Sequence, residues 1–233
     1  MNNKNLLEVY NFDEKIRLGD NHDGGYVICE MKGTYDCYIT CGISNEASFD
    51  RDFLNKYTYL NKSNSFGYDG TIVEYPSYYT DGITFIKKNI GVTNDENHSN
   101  LNHLIEKYTS IFLSIDIEGS EYPWLLSLTE NKLKNFKQIC IEFHGLTNDG
   151  WGSKYDDKIK CLELLNKTHY IMHAHGNNYG SIKNGIPDVL ELTYINKDYF
   201  SQIPIKNTIP FPIEGLDYPN DLTKLDYKLD TYP

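Results

Sequence analysis

Short apolar runs alternate with amphipathic stretches along most of the chain. The runs YDCYITCG (35–42), KSNSFGYD (62–69), ITFIKKNIG (83–91), SIFLSIDIEG (110–119) and FKQICIEFHG (136–145) are short, continuous and flanked by polar residues. Strands buried on both faces have this character. Between them the spacing predicts helices over 48–57, 101–108, 123–133 and 156–166. Such alternation predicts an α/β fold, a mostly parallel central sheet with helices on both faces. Two further runs, THYIMHAHG (168–176) and PDVLELTYI (187–195), follow the last helix and fit a final antiparallel strand at the sheet edge. Ahead of the core, Gly24 and Gly25 mark a turn before Tyr26, Val27, Ile28 and Cys29, which predicts a hairpin-like cap within 1–33. The core runs over 34–199. From 200 to 233 the chain carries five of its eight prolines and little periodicity, so an extended tail is expected. No repeat or linker divides the chain, and one domain is the expectation.

Composition narrows the function. At 233 residues a chain buries a sizeable core, and 20 Tyr and 10 Phe supply bulk that a 39% hydrophobic content would otherwise lack. The net charge of -11, spread along the chain, repels a long polyanion, so nucleic acid is not the expected partner. No apolar run approaches the roughly 20 residues that span a bilayer, and the opening MNNKNLLEVYNFDEK lacks the form of a signal peptide, which predicts a cytoplasmic protein. Cys29, Cys37, Cys41, Cys140 and Cys161 are odd in number, widely spaced and set in apolar runs, and read as reduced core thiols.

In an open parallel sheet, ligands bind where strands end. The first core strand ends at Gly42, where a glycine permits a sharp turn and close approach of backbone to a ligand; a plain turn is the other reading. The next ends at Asp69, either a carboxylate for the two hydroxyls of a ribose or an Asp-Gly turn. Asp116, Glu118 and Glu121 crowd one strand end, a repulsion that calls for a cation, an amine or hydrogen-bond donors. Glu121 also suits a helix cap. Alternation puts Glu142 and His144 on one side of their strand, and His173 and His175 on one side of theirs. Any one of these histidines reads equally as a structural residue. Together, carboxylates and imidazoles at neighbouring strand ends are what a divalent cation selects, with Fe, Mn or Zn suited to mixed donors and Mg to the oxygens.

The pattern resembles the FkbM family of S-adenosylmethionine-dependent methyltransferases. The resemblance rests on SIDIEGSEYPWL (114–125), supported by IRLGDNHDGGYVI (16–28), YITCGISNEASFD (38–50), QICIEFHGL (138–146), HAHGNNYG (173–180) and FPIEGLDYPN (211–220). It implies a Rossmann-like class I methyltransferase fold. It also implies cofactor contacts from Asp23, Gly24, Gly42, Asn45, Glu46, Asp69, Asp116 and Glu118. The first loop reads GISNEASF rather than the commoner glycine-rich form. The activity implied is methyl transfer to a hydroxyl, on a nucleotide-linked sugar or a capsule or glycan precursor. A divalent metal on Asp116, Glu142, His144 and His175 would lower the pKa of the hydroxyl, with Asp116, His144 and His173 as candidate catalytic groups. The alternatives are a metal-independent transferase of a lipid or polyketide hydroxyl, and a non-catalytic nucleoside-binding module. A nicotinamide dehydrogenase is disfavoured because GxGxxG is missing after the first strand. A homodimer is compatible with the Tyr-rich loops and the proline-rich tail.

Overall fold

A computed structural model describes residues 3–229; the first two residues of the expected cap and the last four of the expected tail lie outside the described residues. After a 3-10 turn at Asn3–Leu7 the chain forms β1 (Lys15–Leu18), β2 (Tyr26–Cys29), β3 (Cys37–Cys41), α1 (Ser48–Lys56), β4 (Ser65–Tyr68) and β5 (Thr84–Ile86). It continues through β6 (Asn89–Ile90), β7 (His98–Ser99), α2 (Asn102–Ile105), β8 (Ile111–Ile115), α3 (Glu121–Leu126), α4 (Glu130–Leu133) and β9 (Phe136–Phe143). The last elements are α5 (Tyr155–Thr168), β10 (His169–Gly176), β11 (Ile182–Lys183), β12 (Ile186–Pro187) and β13 (Leu190–Asn196).

Seven strands form one sheet in the order β10-β13-β9-β8-β3-β4-β5. From β9 to β5 every pairing is parallel, while β13 runs antiparallel to both its neighbours. The final strand is antiparallel, as its place in the sequence suggests, but it is not the edge. It fills the slot between β9 and β10, where all seven of its residues are buried, and β10 holds the outer position. Hydrophobicity alone does not separate these placements, because β10 is itself covered. Val9 bridges to Ile171, and Asn207 donates to the Val9 carbonyl.

Each strand sends alternate residues to opposite faces. One face carries Ile39, Ile111, Leu113, Ile139, Ile141 and Leu192 into a core with α2, α3 and α5. The other sets Tyr38, Phe112 and Cys140 against α1 and the β1–β2 hairpin. The expected helix over 123–133 is two shorter ones, interrupted where the Thr129 hydroxyl accepts from the Lys132 amide. The run over 83–91 likewise splits into β5 and β6. All five cysteines are free and buried. No helix among the described residues is long and apolar enough to cross a membrane.

On β9, β13 and β10 the second face is polar. Gln138, Glu142, Glu191, Thr193, His173 and His175 are all buried there, which costs free energy unless each finds a partner. The hairpin and the tail supply many. Gln138 exchanges hydrogen bonds with both backbone groups of Cys29, and Thr193 donates to the Val27 carbonyl. Asp217 and Asp226 of the tail meet His173 and His175.

His169, at the start of β10, is buried with Nε2 donating to the Phe136 carbonyl at 2.9 Å. Burial lowers its pKa from 6.5 to about 4. A histidine kept neutral by folding contributes stability above its unfolded value and loses it as pH falls toward the folded one. That loss amounts to roughly 3 kcal/mol between pH 6.5 and 4. The stability gap between wild type and His169→Gln is therefore expected to shrink over this interval, as read from denaturant unfolding at each pH. A gap independent of pH would assign the titration elsewhere.

Candidate functional site

The cleft at the carboxyl ends of β3, β4 and β8 begins with one close approach. Gly42 has φ +80°, and a Cβ there would lie 1.5 Å from the carbonyl oxygen of Asp116. Only glycine lets the loop after β3 touch the end of β8 in this way. The cleft encloses about 320 Å³ between Gly42, Ser44, Asp69, Asn89, Asp116 and Glu118.

Asp69 holds the loop in place. Its Oδ2 accepts from the amides of Ile43 and Ser44 at 3.0 and 2.8 Å, and its Oδ1 from the amide and hydroxyl of Thr71. Burial opposes its ionisation, but the hydrogen bonds from Thr71, Ser44 and Ile43 outweigh it and depress its pKa. Four donors occupy the carboxylate, so it shapes the cleft through the backbone it gathers. Glu46 acts similarly at the start of α1, where Oε1 accepts from the Ser48 amide at 2.7 Å. Its enclosed Oε2 lies where a Cβ on Gly24 would come within 1.9 Å, so the hairpin turn packs directly on this loop. The Asn45 carbonyl accepts from the Tyr78 hydroxyl. Asp23 does not line this cleft.

A second cavity, of about 340 Å³, adjoins the first and shares Asp116 and Glu118 with it. Asp23, Glu142, His144, Trp151, Asn177 and Tyr179 are among its walls. Here β8 and β9 bring Asp116, Glu142 and His144 together, with one donor atom from each within 4.8 Å of the others. His144 Nε2 lies 3.7 Å from Asp116, 3.6 Å from Glu142 and 3.4 Å from Glu118. Glu121, fully buried, serves the backbone. Its two oxygens accept from the amides of Gly119 and His144 at 2.8 and 2.9 Å, fixing the loop on which Glu118 takes φ +54°.

Electrostatics at this point are dominated by crowded negative charge. Burial raises the pKa of Glu142, and Asp116 and Glu191 raise it further. Asp116 also shifts upward, first through burial and then through Glu118, Asp23 and Glu121, with His144 opposing. Burial works against a charge on His144, yet Glu121, Asp116 and Glu118 bring its pKa above the ordinary value. Asp116 Oδ1 is enclosed and has no hydrogen-bond partner among the described residues.

His173 and His175 lie elsewhere, beneath the tail. His173 Nε2 meets Asp217 Oδ1 at 2.7 Å with Phe211 edge-on to the ring, and burial lowers its pKa. His175 places Nδ1 on Glu191 at 3.0 Å and Nε2 on Asp226 at 3.1 Å. Burial opposes its charge, but Glu191 and Asp226 raise its pKa to about 10, so both nitrogens carry protons and donate. His175 pairs with Glu191 and Glu191 with Glu142, so β13 stands between these rings and the cluster while the tail covers them, and alternation within one strand reports neither.

Several residues around the cluster lie outside the strand-end pattern. The Tyr26 hydroxyl, on β2, reaches toward Asp116 and Glu142 at 3.4 and 3.5 Å, and Asn177 Nδ2 donates to Glu142 Oε1 at 2.8 Å. Asn177 follows β10, so a search of that strand's end could have included it. Tyr26 and Trp151 come from a hairpin and a loop, and no spacing within the sequence links them to β9.

The strand order, the glycine-bounded cleft after β3 and the adjoining acidic cavity define a Rossmann-like class I methyltransferase. The profile of the methyltransferase FkbM domain matches residues 16–179, and the chain belongs to this family of S-adenosylmethionine-dependent methyltransferases. A TehB-like SAM-dependent methyltransferase from Corynebacterium glutamicum ATCC 13032 is a similar solved structure, with a TM-score of 0.39 and 13% identity over 71% of this chain and 83% of that one. No curated protein matches the chain.

Because a methyl group on Gly42 would strike the Asp116 backbone, Gly42→Ala is expected to weaken S-adenosylmethionine binding about tenfold or more. Calorimetric titration measures this, and unchanged affinity would remove the Gly42 loop from the cofactor site.

Proposed function

We propose that the protein transfers a methyl group from S-adenosylmethionine to a sugar hydroxyl held in the acidic cavity, with a divalent cation on Asp116, Glu142 and His144. The observation that carries this reading is the position of that cluster, at the junction of the cofactor cleft and the second cavity. The donor set fits a cation. Two carboxylates and an imidazole provide mixed oxygen and nitrogen ligands, and the enclosed, unpartnered Asp116 Oδ1 is the acceptor such an ion would satisfy. When bound, the cation would supply electrostatic stabilisation of a developing alkoxide.

The protein's own groups do the rest. The Gly42 loop, gathered by Asp69, holds the cofactor, while Asn177 and Tyr26 fix Glu142 and Asp116. Walls of carboxylate, amide and imidazole orient a hydroxyl toward the shared boundary at Asp116, whose other carboxylate oxygen, Oδ2, accepts its proton. Val189, Trp151 and Tyr179 are the large apolar groups of this cavity, a poor match for an extended lipid chain and a good one for a polar ring. His173, enclosed by Asp217 and Phe211, has no part in this reading.

Glu142→Gln and His144→Ala are expected to lower turnover about 100-fold and to abolish metal stoichiometry, with S-adenosylmethionine affinity within about twofold of wild type. Elemental analysis and a radiolabelled methyl-transfer assay across a panel of sugars check this. Full activity in chelator-treated, metal-free protein would sink the cation, and transfer to lipid hydroxyls alone would sink the sugar.

A further inference from the structure

One wall of the acidic cavity is an aromatic ring that the scheme above counts only as apolar surface. Gly150 and Ser153 exchange two backbone hydrogen bonds of 3.1 Å and close a turn whose central residues are Trp151, at φ 51°, and Gly152, at φ 75°. Positive φ at both central positions is the geometry that Asn-Gly ordinarily fills, and a bulky side chain adopts it only under constraint. The constraint is visible. A Cβ on Gly119 would lie 2.3 Å from the Trp151 carbonyl oxygen, and one on Gly145 would lie 2.3 Å from the indole Cδ1. Lys158, itself buried, ties the base of the loop by donating to the carbonyls of Gly145 and Asn148.

All of this holds an indole that remains 46% exposed, its ring centroid 4.9 Å from that of His144. Tyr179, 61% exposed, lines the same cavity. Strain spent on keeping a large apolar surface half in water points to a ligand that covers it. The remaining walls say which kind. Asp23, Asp116, Glu118, Glu142 and Asp188 line the cavity, with no Lys or Arg among its lining residues. A saturated sugar ring presents hydroxyls that suit carboxylates at one edge and a C–H face that suits an aromatic plane, whereas a phosphate would face five carboxylates, with His144 and the cation it helps to hold as the sole positive groups among the cavity's lining.

We propose that Trp151 is a specificity-determining residue, stacking on the apolar face of a sugar ring that carries no phosphate inside the cavity. This deepens the functional reading above and rests on it. The two tryptophans make the test direct, because Trp124 is fully buried with Nε1 bound to the Asn100 carbonyl and leaves Trp151 as the solvent-sensitive reporter. With S-adenosylhomocysteine bound, tryptophan emission is titrated with glucose, glucosamine and glucose 6-phosphate. Glucose and glucosamine are expected to change the emission of wild type but not of Trp151→Phe, and the phosphate ester to change neither. Trp151→Ala is expected to raise the KM of a methylated sugar about tenfold or more, with kcat and cofactor affinity within about twofold, and Trp151→Phe to recover part of the loss. Wild-type emission that ignores all three sugars while S-adenosylhomocysteine binds, a response to the phosphate ester equal to that of glucose, or an unchanged KM in Trp151→Ala would each overturn the assignment. Wild type that fails to bind S-adenosylhomocysteine would instead overturn the reading beneath it.

Discussion

Glu142 and Glu191 face each other as register partners on adjacent strands, both buried, with Asp116 one strand further on. Negative charge packed this closely inside a protein is tolerated only where donors or cations surround it. Much of what is unusual in the molecule answers that demand. Asn177 donates to Glu142, protonated His175 to Glu191, and Asn220 to both Glu191 and Asp23. The hairpin contributes Tyr26, and the tail contributes Asn220 and Asp226. The cleft beside Gly42 is lined by the ends of β3, β4, β6 and β8 and the loops that follow them; the acidic cavity depends also on Asp23 near the start of the chain and on Asn220 of the tail, which bonds to it.

This division explains what could be read from the sequence. Strands such as Ile111–Ile115 and Phe136–Phe143 are recorded locally, in continuous apolar runs of the right length. So is the cluster at their ends, because neighbouring parallel strands place their carboxyl ends side by side. Asp116, Glu142 and His144 were legible for that reason. The partners of His173 and His175 were not, since Asp217 and Asp226 lie 44 and 51 residues away in a segment without periodicity. Two histidines on one side of a strand look like ligands until the tail is in place. It also takes the full fold to see that β13 lies inside the sheet, because an interior antiparallel strand and a covered edge strand have the same hydrophobic pattern.

Asp69 shows a subtler limit. A carboxylate at the end of the second core strand suggests a direct contact with a nucleoside, whereas its oxygens are occupied by Ile43, Ser44 and Thr71. The residue type marks the cleft that Asp69 lines, and its bonds to the loop backbone come from the fold. Glu121 behaves in the same way, accepting from two backbone amides rather than facing the cavity. At strand ends, acidic residues that build a loop and those that face a ligand cannot be told apart until hydrogen bonds are traced.

The bridge from Asn220 to Asp23 joins residues 197 positions apart. A chain made from its amino end can complete β1 through β9 while Glu142 still lacks the strand that will carry Glu191 and the tail that will carry Asn220. The parallel part of the sheet, from β9 to β5, is therefore synthesised before the segments that complete the charged cluster. The cleft at the ends of β3, β4 and β8 is made of chain that emerges early, and Asn220, which ties Asp23 and Glu191 of the charged cluster, emerges late. Under the proposed function, the segments that would hold the methyl donor are synthesised before those that tie the acceptor's cavity together.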